Sequence, residues 1–203
     1  MQQPLIRACV RLGLLLLLLS PRVLSAAEFE GVDVPKYRAV KKTCHGYPGY
    51  VVEVTADREM VGENIVVHKA ADRPYGCIDD SIDPVIEVDN EGGQWFAGLS
   101  GNFLFVDDGT GTGNRQLHIY DLTRARPPFT TSYFDAMQPR VTKSDVTFLR
   151  FVRTVKSRDE CPEDIRKKLE SWAYDVVFLE EVRLDLKTFK VMPTGRKTCG
   201  AQE

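Results

Sequence analysis

Residues 103–120 read FLFVDDGTGTGNRQLHIY. Two apolar runs, FLFV at 103–106 and QLHIYDL at 116–122, flank two aspartates, three glycines and two threonines. Short runs rich in β-branched and aromatic residues, bounded by Gly, Asp and Asn, read as strands joined by a hairpin loop. The same signature recurs on both sides. YVVEV at 50–54, NIVVHK at 64–69, VIEV at 85–88, QWFAGL at 94–99 and TFLRFVRTV from Thr147 are all strand-like. In DVVFLEEVRLDL, Val176, Phe178, Val182, Leu184 and Leu186 share one parity, as a half-buried strand requires. Residues 28–42 read as an arm or short edge strand, and MPTG at 192–195 as a final turn.

One helix is expected in the C-terminal third. Pro162 suits a first helical turn, Glu163 and Asp164 suit its positive end, and Ile165, Leu169 and Trp172 form one apolar face. The fold class is therefore mainly β (α+β): an antiparallel β-sandwich or barrel-like sheet with one C-terminal helix. A faint echo links HIYDLTRARPPF with VRLDLKTFKVMP, each a strand, Asp-Leu, a turn and a return strand. Propeller blades also contain such hairpins, but four periodic copies are missing, so the echo reads as local hairpin similarity.

The first residues set the compartment. Arg7 and Arg11 precede an apolar run at 12–19, Pro21 breaks it, and Ser25-Ala26-Ala27 offers small residues for cleavage. Residues 1–27 are read as a secretory signal peptide and 28–203 as a single β-rich domain, periplasmic or secreted and soluble, with no membrane insertion after cleavage. Cleavage removes three arginines and no acids, leaving 24 basic against 29 acidic residues, so net charge moves from −2 to −5. That balance argues against nucleic-acid binding, which shows as a basic stripe. Four cysteines remain, Cys44, Cys77, Cys161 and Cys199. An even count in an exported chain implies two disulfides, and two cysteines in each half favour Cys44–Cys77 and Cys161–Cys199. No CxxC motif supports redox chemistry, and the spacing does not suit zinc.

The 107–115 stretch admits several chemistries, and most fail. Asp108-Gly109-Thr110-Gly111-Thr112 resembles the aspartyl string of phosphorylating ATPases, but glycine replaces the lysine and no doubly wound sheet is expected. A phosphate-cradling loop needs a following helix, whereas QLHIY is strand-like. Calcium would find oxygens on Asp107, Asp108 and Asn114, yet adjacent residues at a strand end point in opposite directions. A hairpin loop remains, longer than a turn needs. Ordered loops on a rigid scaffold carry recognition, and a merely solvated tip is the plain alternative.

Other catalytic signals are weak. His45, His68 and His118 have no ligand spacing, and Gly98-Leu99-Ser100-Gly101 falls one residue short of a nucleophile elbow. Neither a metal nor a cofactor is expected, and no catalytic residue is assigned. TCHGYPGY at 43–50 looks like a rigid loop presenting Tyr47 and Tyr50, a residue type suited to protein contact.

In REMVGENIVVHK and FVDDGTGTGNRQLHIYDL the chain resembles periplasmic inhibitors of invertebrate-type lysozyme, small β proteins in which a Gly-Thr-Gly loop enters an enzyme cleft. The match covers two short segments. It departs after Gly111, where Asn114 and Arg115 replace the family's Ser-Gly-x-x-Tyr pattern. The resemblance implies an exported β-rich protein that binds a protein partner in the envelope, as an inhibitor or immunity-type protein. The binding candidates are Asp107, Asp108, Thr110, Thr112, Asn114 and Arg115, with Tyr47 and Tyr50. Two alternatives stand: an envelope hydrolase with a site near the 107–118 hairpin, signalled by a cleft joining Asp107 or Asp108 to His118 or His68, and a structural envelope protein with no discrete site.

Overall fold

The computed structural model describes residues 36–38, 42–57, 59–70, 77, 82–111, 113–169 and 175–202. The signal-peptide segment, Thr112 and Trp172 lie outside them. The chain is mainly β and forms three antiparallel sheets, each built from consecutive strands. The first holds β1 (Lys36–Arg38), β2 (Thr43–Tyr47), β3 (Tyr50–Ala56), β4 (Glu63–Lys69) and β5 (Ile86–Val88). The second holds β6 (Gln94–Ser100), β7 (Phe103–Asp108), β8 (Asn114–Asp121) and β9 (Phe129–Phe134). The third holds β10 (Arg140–Val141), β11 (Asp145–Thr154), β12 (Asp175–Asp185) and β13 (Lys190–Gln202). Among the described residues every pairing joins neighbours in sequence, and no strand crosses between sheets.

The sheets stack as three layers around two cores, one layer more than a sandwich. Val52, Val54, Ile65 and Val67 of the first sheet meet Leu99, Leu104 and Val106 of the second. Phe105, Leu117, Ile119 and Tyr133 of the second meet Val146, Phe148, Val182 and Leu184 of the third. This explains the unbroken FLFV run. Successive strand residues point to opposite faces, and β7 is buried on both, so both parities must be apolar. A hydrogen bond from Phe96 N–H to the Glu63 carboxylate (2.9 Å) ties β4 of the first sheet to β6 of the second. Burial pushes the Glu63 carboxyl above its ordinary value, and the Phe96 N–H partly offsets it.

Both expected disulfides are present, Cys44–Cys77 and Cys161–Cys199. The second forms a small satellite core with Val176 and the half-buried Ile165 and Phe178. The helix, α1 (Glu163–Leu169), lies between β11 and β12, so the chain ends in strands and not in a helix. Two details of the third sheet differ from the sequence reading. The buried set of β12 is not of one parity, because Val177 and Leu179 pack on Phe134 and Leu149 before the pattern changes to Val182 and Leu184. The change falls where the β12–β13 register shifts between Glu180 and Val182. The MPTG stretch is absorbed into β13 at that same irregularity, with Thr194 Oγ1 donating to the Glu181 carbonyl and carboxylate.

Candidate functional site

The 107–115 stretch is strand at both ends. β7 continues to Asp108 and β8 starts at Asn114, leaving a five-residue connection, 109–113. The extension is held by an ion pair across the hairpin. Arg115 Nε donates to Asp107 Oδ1 (2.9 Å), and Nη2 donates to Oδ2 in a shorter contact. Tyr133 Oη also donates to Asp107 Oδ1 (2.8 Å). Asp107 is 3% exposed, so its charge is stabilised by these three donors and not by water. Burial works against the Arg115 charge, but the hydrogen bonds and charge of Asp107 outweigh it and hold the guanidinium above its ordinary value. Burial, reinforced by Asp107, pushes the Tyr133 hydroxyl far up, so it remains a donor.

Arg115 also shapes the turn. Its Nη2 and Nη1 donate to the Gly109 and Gly111 carbonyls (2.8 and 3.0 Å), and Trp95 Nε1 donates to the Gly109 carbonyl (3.2 Å). On the far side, Gly113 N–H donates to Asp135 Oδ1 (2.8 Å) and Asp135 N–H to the Gly113 carbonyl (3.0 Å).

Two further turns join this one. Gly109 N–H donates to the Gly93 carbonyl (2.9 Å), and Gly93 N–H donates to the Val61 carbonyl (2.6 Å). Buried Asn90 is the hub. Its side chain donates to Val61 and Asp57 and accepts from the N–H groups of Gly92 and Gln94. Asp57 in turn accepts from the N–H groups of Glu59 and Met60, and those bonds hold its carboxyl below its ordinary value. Connections 57–62, 89–93 and 109–113 thus form one hydrogen-bonded rim. Gly62 is at φ +126°, and a Cβ there would lie 2.3 Å from Asn90 Oδ1, so only glycine closes the junction.

The rim borders a cavity of about 270 Å³ lined by Val61, Trp95, Asp107, Arg115, Tyr133 and Asp135, among others. Met60 and Val61, 47% and 60% exposed, stand beside it as two of four large exposed hydrophobics among the described residues.

The sequence candidates therefore separate into groups. Asp107 and Arg115 face inward and spend themselves on each other. Thr110 and Asn114 are exposed, and Asp108 is half-exposed. Tyr47 and Tyr50 are buried, 4% and 7% exposed, and pack in the core between the first two sheets. Tyr50 Oη bonds Asn102 (3.2 Å), at the start of β7, whereas the rim lies at its end, roughly 20 Å away by strand rise. Burial, then the charge of Asp121, raises the Tyr50 hydroxyl. The Tyr50 hydroxyl and the glycine loop therefore lie at opposite ends of β7. The sequence reading missed Asn90, Trp95 and Asp135. For Trp95 and Asp135 a signal existed, since each lies close to a strand end facing the loop. A lone buried asparagine leaves none.

On the opposite face of β7, Asp108, His118 and Thr130 form a row. His118 Nε2 lies 3.2 Å from Asp108 Oδ2 and Nδ1 lies 2.9 Å from Thr130 Oγ1. His68 is not part of it and sits in the first sheet. Among the described residues, the one cluster with metal-ligand spacing is Cys44, Glu53 and Cys77, but both sulfurs are in the disulfide and Glu53 pairs with Lys42 (2.9 Å), so no ligand set remains. No described helix is long and apolar enough to cross a membrane. No family model, curated protein or solved structure matches the chain.

Proposed function

We propose that this is an exported, periplasmic binding protein that acts on a protein partner as an inhibitor or immunity-type protein, and that the rim is its contact surface. The observation that carries this reading is the locking of three turns through Asn90 and Arg115 beside two exposed apolar side chains. A loop already fixed in its bound shape loses little entropy on association, so its contacts count fully toward affinity. Exposed Met60 and Val61 supply the apolar centre that a contact patch needs. The glycine–threonine loop, part of one of the two segments that carry the resemblance to lysozyme inhibitors, lies on this rim. Two disulfides fit an oxidising compartment.

The test is capture of a partner from native envelope extract by the mature, disulfide-bonded protein, read by mass spectrometry. One stoichiometric partner, lost with Val61→Asp and retained with Arg124→Ala at the other end of the sheets, is the expected result. No partner, or equal capture by both variants, overturns the reading.

The Asp108–His118–Thr130 row favours a second reading, an envelope hydrolase with a threonine nucleophile and histidine base. The row faces away from the cavity. An esterase or peptidase activity abolished by Thr130→Ala and by His118→Ala would establish it over the binding reading.

A further inference from the structure

The cavity beside the rim has a chemistry of its own. Asp107 and Arg115 cancel each other's charge on one wall. Asp135 gives one carboxylate oxygen to Gly113 N–H and makes no ion pair among the described residues. Trp95 and Tyr133 supply aromatic wall, and Val61 supplies apolar edge. On the connections that form the rim, Glu59 and Asp89 are exposed. Arg58 apart, which lies outside the described residues, connections 57–62, 89–93, 109–113 and 135–139 carry no basic side chain. The volume of 270 Å³ is just below the roughly 300–1,000 Å³ of pockets that hold whole small ligands. It suits one side chain.

We infer that this cavity receives an arginine side chain of the protein partner, its guanidinium stacked against Trp95 and hydrogen-bonded to Asp135. The inference rests on the rim reading and names what the partner inserts there. A planar guanidinium combines stacking on an aromatic face with paired hydrogen bonds to a carboxylate, which a lysine ammonium does not. Val61 covers the aliphatic stem, and the exposed acids of the rim draw a cationic segment toward it. Asp135 serves twice, since one oxygen closes the turn at Gly113 and the other faces the ligand.

The experiment is a nuclear magnetic resonance titration of the mature protein with N-acetyl-arginine methylamide, its neutral citrulline counterpart and N-acetylglucosamine. The Trp95 indole N–H and the Gly109 and Gly113 amides are the reporters. The arginine probe should shift them saturably and the citrulline probe should not. Asp135→Asn keeps an oxygen for Gly113 N–H while removing the charge, and it should weaken the arginine probe by about tenfold or more. No saturable shift, an equal shift with citrulline, a preference for the sugar, or indifference to Asp135→Asn each overturns the inference. The two readings fail separately. Capture that survives Val61→Asp removes the rim reading, whereas capture lost with Val61→Asp but unchanged by Asp135→Asn removes the arginine cavity alone.

Discussion

The two ends of the first two sheets are closed by different forces. At one end, turns 57–62, 89–93 and 109–113 are tied by backbone and buried polar hydrogen bonds, with Asn90 and Asp107 as hubs. At the other end, the Pro48-Gly49 turn is held by the burial of Tyr47 and Tyr50 beneath it. Gly49 has φ +87°, as a type II turn requires, and a Cβ there meets nothing. The contrast teaches that glycine means different things at the two ends. At Gly49 it satisfies a dihedral angle, and at Gly62 it also makes room for Asn90. Polar locking is directional and leaves an apolar surface free to be presented, whereas aromatic burial consumes the apolar groups that hold the turn.

The largest effect should come from breaking the polar lock at its charged hub. Arg115→Ala leaves Asp107 buried without its counter-ion and should cost roughly 3–5 kcal/mol of unfolding free energy in denaturant titration. Asp107→Ala with Arg115→Ala should cost clearly less than the two single changes summed, since each removes the same pair. Arg115 is therefore unsuitable as a probe of partner contact. Next come the glycines. Gly62→Ala should cost about 3 kcal/mol through the strained backbone and the clash with Asn90. Gly49→Ala should cost about 1 kcal/mol through the backbone alone. Equal costs would erase the distinction between the ends.

Tyr50→Phe should be smaller, about 0.5–1 kcal/mol, because it removes a partly buried hydrogen bond to Asn102 and keeps the ring packed. Acid gives the least discrimination. Asp57 at the rim and Asp121 at the other end both sit below their ordinary values, the first through the N–H groups of Glu59 and Met60, the second through Thr123, Arg124 and Arg126 against opposing burial. Because folding lowers both, their stabilisation is complete above the ordinary aspartate value of about 3.9 and is lost as pH falls through it and then through the lower folded values. Amide exchange at Met60 and Thr123 should accelerate together over that window.

The strands, the antiparallel class and both disulfides were legible in sequence, because apolar runs between turn residues and an even cysteine count report local and compartmental constraints. The number of layers was not. The unbroken FLFV run held the clue, since only a strand buried on both faces needs it. The Asp-Leu echo was another: Asp121-Leu122 and Asp185-Leu186 close the third strands of the second and third sheets, and both aspartates accept from N–H groups just ahead (Thr123; Lys187 and Thr188). The similarity marks equivalent positions in successive sheets. Of the site, the glycine loop was legible and its lock was not. Asp107 meets Arg115 only once the register of β7 on β8 is fixed, and register is set by burial that sequence spacing does not reveal.

The most direct test of the account is native-state hydrogen exchange at the amides of Gly93, Gly109 and Gly113 in the mature protein. The locked rim predicts slow exchange at all three, comparable with strand amides and accelerated together by Asn90→Ala. Exchange at the rate of free surface turns, or acceleration at Gly93 alone, would contradict it.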